Sequence, residues 1–307
     1  MKRGGPQRSK RRRASPPLPV RDGIGPARLR LLGPAGRSAA TGESLVNVYD
    51  ELQQRFGIGA KVLAGEVLLP DGTVVDTTTE LPAGAHVYFY RDLADEVEVP
   101  FDIPVLYRDD DIVVVDKPHF LATMPRGGHV AQTALVRLRR KLDLPELSPA
   151  HRLDRLTAGV LLFTVRPEVR GSYQRLFAEG KTRKTYLARA AGTATVSLPI
   201  TLRSRIIKHR GRLQAFEECG APNAETYVEE LGSGLYRLSP RTGQTHQLRV
   251  HMNSIGLPII GDSLYPKVID VAPDDFDHPL QLLAQRLEFT DPITGEDREF
   301  VSARTLG

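Results

Sequence analysis

The sequence predicts an α+β fold built on a mixed, largely antiparallel sheet. Three observations carry this. Short β-branched or apolar runs, such as Ile112–Val115 and Val160–Val165, outnumber the segments with helical period. Strand and helix candidates do not alternate in βαβ order, which argues against a doubly wound parallel sheet. The 307 residues, 40% hydrophobic and 26% charged, are globular in composition and long enough for a sizeable core.

Residues 1–45 are rich in Pro, Gly, Ser and Arg and are expected to form a disordered basic tail. Residues 1–13 hold seven Lys and Arg and no acid, more positive charge than the chain's net +5, so the rest is slightly acidic. Such a tail either keeps the chain soluble or contacts phosphates. Residues 46–97 read as a small module. Val46–Phe56 suits a short helix, Gly65–Leu69 and Thr73–Val75 flank a turn at Pro70-Asp71-Gly72, and Val87–Tyr90 suits a strand after the turn at Pro82-Ala83-Gly84. The acidic stretch Asp92–Glu98 reads as a linker to a larger domain over 98–307.

In that domain, Ile112–Val115 ends at Asp116-Lys117-Pro118 and predicts a buried strand. Residues 131–142 have helical period, with Ala134, Leu135, Leu138 and Leu142 on one face and Arg137, Arg140 and Lys141 on another. Val160–Val165 predicts a central strand. A helix carrying Tyr173, Leu176 and Phe177 should close at Gly180. Tyr236–Ser239 and Gln244–Met252 read as strands around the turn Pro240–Gly243.

The single cysteine, Cys219, excludes an internal disulfide, Cys-rich zinc sites and iron–sulfur clusters. A reducing, cytoplasmic setting is the default for such a chain. No apolar run is long enough for a transmembrane helix, and no apolar stretch follows the basic N-terminus, so neither membrane nor secretory signal is expected. The nucleotide-binding loops, the nucleophile elbow and the HExxH zinc motif are all absent.

Two segments stand out. His151-Arg152-Leu153-Asp154-Arg155-Leu156-Thr157-Ala158-Gly159 sets a carboxylate between two arginines just before a buried strand, suited either to a surface salt-bridge loop or to an ionised nucleophile. Arg241–Met252 reads, on strand alternation, as Leu248, Val250 and Met252 facing one side and Gln247, Arg249 and His251 the other. That is either a solvated polar face or a row of donors. His246 and His251 fall on opposite faces of such a strand, so no metal site is expected.

These residues resemble the RluA-type pseudouridine synthase family. The resemblance rests on His151–Asp154 with Thr157–Gly159, on Lys184-Thr185-Tyr186-Leu187-Ala188, and on Arg241–His251 followed by Gly256–Asp262 and Tyr265. Val114–Pro118 is similar to the family's first motif, and the likeness spans about residues 100–305. Ala158 stands where the family usually has Ser, Gln244 where Arg or Lys is common, and His119-Phe120 where Ala-Gly is usual. Leu282–Phe289 lacks its usual His. Residues 46–96 weakly resemble an S4 RNA-binding module through Gly65-Glu66-Val67 and Asp71-Gly72.

The resemblance implies isomerisation of uridine in RNA to pseudouridine, without a cofactor. It implies catalytic roles for Asp154, Tyr186 and Arg249. Asp154 would act either at C1′ or on the 2′ proton, Tyr186 would stack on the base and assist proton removal from C5, and Arg249 would pair with Asp154. Arg152, Lys184, Arg241, His246 and Gln247 are the implied RNA-binding residues, with Arg152 filling the place of a flipped nucleotide. The expected partner is RNA, large-subunit ribosomal RNA ahead of transfer RNA, and a monomer is expected. A catalytically idle RNA-binding protein of the same fold and a carboxylate-based nucleosidase or glycosidase are the other classes compatible with these residues.

Overall fold

The computed structural model describes residues 16–32 and 45–307. Residues 1–15 and 33–44 lie outside the described residues, and with them the seven-cation segment. The chain divides into two compact units, one up to Leu93 and one from Ala94 onward.

In the first unit, β1 (Ala27–Arg30) and β2 (Leu45–Asn47) precede the helices α1 (Val48–Phe56) and α2 (Gly59–Leu63), and β3 (Glu80–Pro82) and β4 (His86–Phe89) follow. Strand β1 pairs antiparallel with β4, and β2 with β3. The expected disordered tail over 1–45 is thus corrected at Ala27–Arg30, a strand followed by the fully buried Leu31. An arginine-rich composition hid a four-residue edge strand whose alternate positions face solvent. The expected helix begins two residues late, because Asn47 caps it by accepting from the Asp50 amide at 3.0 Å. Leu52, Val62, Val67, Val75 and Val87 form the core beneath.

The second unit holds β5 (Val105–Arg108), β6 (Ile112–Lys117), α3 (Ala134–Leu142), β7 (Ser148–Pro149), β8 (Ala158–Thr164), α4 (Pro167–Ala178) and β9 (Arg183–Arg189). It continues through β10 (Ile200–Ile207), β11 (Phe216–Glu218), β12 (Ala224–Gly232), β13 (Leu235–Pro240), α5 (Gln247–Ser254), β14 (Leu282–Thr290) and β15 (Asp297–Val301). One sheet runs in the order β11-β10-β12-β13-β9-β14-β8-β6-β5, with β15 on β14 and β7 on β8. Only β14 and β8 pair in parallel, so the sheet is mixed and largely antiparallel, as expected.

Strands β6 and β8 are buried throughout and mostly apolar because both faces are covered. Val113, Val115, Leu161 and Phe163 pack with Leu135 and Leu138 of α3 and Leu248 and Met252 of α5. Their alternates Ile112, Val114, Val160 and Leu162 pack with Val169, Tyr173 and Leu176 of α4. Helix α4 closes at Gly180 (φ 65°), where the Gly180 and Lys181 amides return to Phe177 and Leu176 carbonyls at 3.3 and 2.8 Å. The expected linker is corrected at Glu96, whose carboxylate accepts from the amides of Val130, Ala131 and Gln132 ahead of α3.

The expected strand over 244–252 is a helix. All of Gln247–Met252 is buried, and the polar members have buried partners rather than a water face. The apolar–polar alternation therefore carried no strand information: Leu248 and Met252, four apart, share the helix side facing the main core.

Candidate active site

Register places the acid loop. Strands β6 and β8 pair with Lys117 opposite Gly159, so the segment leaving β6 runs beside the loop entering β8. Gly159 takes φ 113°, and a Cβ there would lie 2.2 Å from the Ala284 carbonyl oxygen. Only glycine lets β14 come this close, in the parallel pairing of Ala284 with Gly159. Leu153 and Leu156, on either side of Asp154, bury into the core and anchor the loop.

The same segment holds the loop's main chain. The Thr123 hydroxyl donates to the Leu153 carbonyl at 2.8 Å and accepts from the Leu153 amide at 3.1 Å. The fully buried Lys117 ammonium donates to the carbonyls of Pro118, Leu121 and Arg155 at 2.8, 2.8 and 3.3 Å. Burial pulls its pKa down to about 7, partly offset by the Asp154 charge, while the three carbonyls favour the ammonium form. His119 donates through Nδ1 to the Leu156 carbonyl at 2.7 Å.

Asp154, about 29% exposed, opens onto a cleft of roughly 460 Å³ that Tyr186, Arg152, Lys184, His246 and Arg249 also line. Tyr186 stands on β9, paired with Leu238 and Ala284. Burial and then the Asp154 charge push its phenol well above the ordinary value, so it is protonated at neutral pH. Arg152 is exposed at the cleft, and the Lys184 ammonium, its pKa lowered by burial, reaches only the Thr242 carbonyl at 3.3 Å.

Arg249 sits in the first turn of α5, 3% exposed, with Nη1 3.8 Å from Asp154 Oδ2. Its strong pairing goes elsewhere: Nε and Nη2 donate to Asp262 at 2.7 and 2.5 Å. The implied pairing with Asp154 is thus present but secondary. Burial would lower the guanidinium's pKa, and Asp262 more than offsets that.

His246 precedes α5 at φ 60°, an uncommon conformation for a non-glycine residue. Its Nδ1 lies 3.0 Å from the Tyr265 hydroxyl, which donates to the Ala215 carbonyl at 2.9 Å. Burial keeps this imidazole neutral at neutral pH.

Gln247 also lines the cleft. Its amide is fully used within the protein, accepting from Thr242 Oγ1 and the Gln244 amide and donating to the Glu225 carbonyl and Thr226 Oγ1. It shapes the turn before α5, so its amide groups already have partners within the protein. Arg241 is about 78% exposed and 3.7 Å from Glu225, outside the cleft lining. His251 is fully buried between Thr226 and Ser204.

Sequence reasoning missed four groups here. Asp262 and Tyr265 were visible as a motif but without partners. His151 accepts from the Leu162 amide at 3.1 Å, stacks on Phe177 at 4.2 Å, and is pushed down to about 3 by burial, then by Lys184. The Thr123 hydroxyl had no local signal.

The family described as RNA pseudouridylate synthase matches residues 111–254. The dual-specificity RNA pseudouridine synthase RluA of Salmonella typhi is 34% identical over 207 residues, covering 64% of this chain and 90% of that protein. An uncharacterized RNA pseudouridine synthase of Synechocystis is 34% identical over 209 residues, covering 64% and 69%. Among solved structures, human RNA pseudouridylate synthase domain containing 1 superposes with a TM-score of 0.53 at 26% identity, covering 66% of this chain and 84% of that one. The fold is that of an RNA-modifying isomerase. The chain belongs to the RluA-type RNA pseudouridine synthase family.

Proposed function

We propose that this enzyme isomerises specific uridines of large-subunit ribosomal RNA, with Asp154 as nucleophile. The observation that carries the reading is the meeting of Asp154, the Tyr186 ring and Arg249 Nη1 at one cleft. Asp154 attacks C1′ and the N1–C1′ bond breaks, its electron pair leaving with the uracil. The base turns over, C5 bonds to C1′, and the carboxylate is released. N1 gains a proton and C5 loses one. Carboxylate attack at an anomeric carbon has a parallel in retaining glycosidases.

Tyr186 suits the later step. The Asp154 charge contributes to holding its phenol protonated. Once that carboxylate is esterified, this contribution vanishes and the phenol ionises more readily, when C5 must lose its proton. Arg152 and Lys184 are the RNA-binding cations of the cleft, and Arg241 an outlying phosphate contact. His246 offers the RNA a neutral imidazole edge.

Large-subunit ribosomal RNA is the favoured substrate because a basic N-terminal segment and a second small unit, weakly S4-like in sequence, suit a large folded polyanion. One relative's name carries the words dual-specificity, so a second RNA class is the outcome to look for. Mapping pseudouridines in all cellular RNAs with and without the gene tests the assignment. Loss confined to large-subunit RNA supports it, and loss in transfer RNA alone overturns the substrate.

A further inference from the structure

Arg249 faces two carboxylates and can offer its paired Nε–Nη2 edge to only one. Asp262 takes it, with a side chain fully shielded from solvent. Its Oδ1 also accepts from the Leu264 and Tyr265 amides at 2.8 and 3.1 Å. The carboxylate is therefore fixed to the main chain on one side and to the guanidinium on the other. Arg249 then presents Nη1, the nitrogen Asp262 does not hold, 3.8 Å from Asp154 Oδ2.

This arrangement solves a chemical conflict. A bidentate guanidinium on Asp154 would orient it but draw charge from both oxygens, one of which must attack. A guanidinium held 3.8 Å away, by another acid, supplies positive charge and leaves the oxygens open. We propose that Asp262 is a positioning residue for the reaction: by binding the Nε–Nη2 edge of Arg249 it keeps the arginine from closing onto Asp154. This rests on reading Asp154 as the catalytic carboxylate.

Asp262→Asn keeps the shape and an oxygen for the two amides, but sets an NH₂ group against one guanidinium N–H. The test is steady-state tritium release from RNA carrying 5-tritiated uridine, with RNA affinity and thermal unfolding measured in parallel. Asp262→Asn should lower kcat roughly tenfold or more, with KM and RNA affinity close to wild type.

A purely structural Asp262 is separated by a second pair of variants. Arg249→Met leaves a buried unpaired carboxylate, so it should be both unstable and inactive. Adding Asp262→Asn should restore stability but no activity. A double variant that regains kcat with its stability, or an Asp262→Asn enzyme at wild-type kcat, overturns the proposal. Turnover by Asp154→Asn would instead overturn the reading beneath it.

Discussion

The hydroxyl of Thr123 holds both main-chain polar groups of Leu153, the residue before Asp154. One buried side chain thus sets the path of the acid loop from outside it. Thr123→Val keeps the volume and orphans a buried N–H and C=O. Stability should fall by about 1–3 kcal/mol, the usual cost of a buried unsatisfied group. Activity per folded molecule should fall in kcat rather than KM. Denaturant unfolding and tritium release check this, and a neutral Thr123→Val would mean that the loop needs no outside support.

Two histidines predict acid sensitivity: His251, fully buried, and His151, partly exposed at the cleft. Burial pushes His251 down to about 4 and His151 to about 3, against an ordinary 6.5. Below pH 6.5 the unfolded chain binds protons that the folded chain refuses, so stability falls as pH drops toward 4. Each histidine adds a slope approaching about 1.4 kcal/mol per pH unit in that window. His251→Gln should show a shallower loss between pH 6.5 and 4.5 in denaturant midpoints. An unchanged slope would mean that His251 does not titrate on unfolding.

Tyr186→Phe should bind RNA normally and lose on the order of 10²–10⁴-fold in rate, as for a missing proton-transfer group. The wild-type phenol's raised pKa also predicts no alkaline limb from this residue below pH 10. A pH–rate profile and filter binding test both parts together.

Deleting residues 1–13 removes seven cations and none of the cleft residues. RNA binding should weaken with a shallower slope of log affinity against log salt, with turnover at saturating RNA retained. An identical slope would assign the segment to solubility alone.

The parts of the fold legible in the sequence were those where one physical cause dominates. Val160–Val165 read as a central strand because both its faces are apolar, and Gly180 read as a helix stop because the left-handed cap favours glycine. Residues 244–252 misled because Arg249 and His251 are polar yet buried against Asp262, Thr226 and Ser204, partners far away in sequence. Asp154, Tyr186 and Arg249 were named through the family's motifs and do meet at one cleft. That Asp262 takes the strong edge of Arg249 was illegible, since a motif shows which residues are present and not which atoms they face.

The reading of Asp154 as the nucleophile is tested by a single-turnover comparison of wild type and Asp154→Asn on RNA carrying 5-tritiated uridine. The substitution preserves size and removes the carboxylate charge, while the cleft cations Arg152 and Lys184 remain. Wild type should release tritium, and the variant should bind the RNA with nearly unchanged affinity and release none above background. Tritium release by purified Asp154→Asn at a rate near wild type would contradict the assignment.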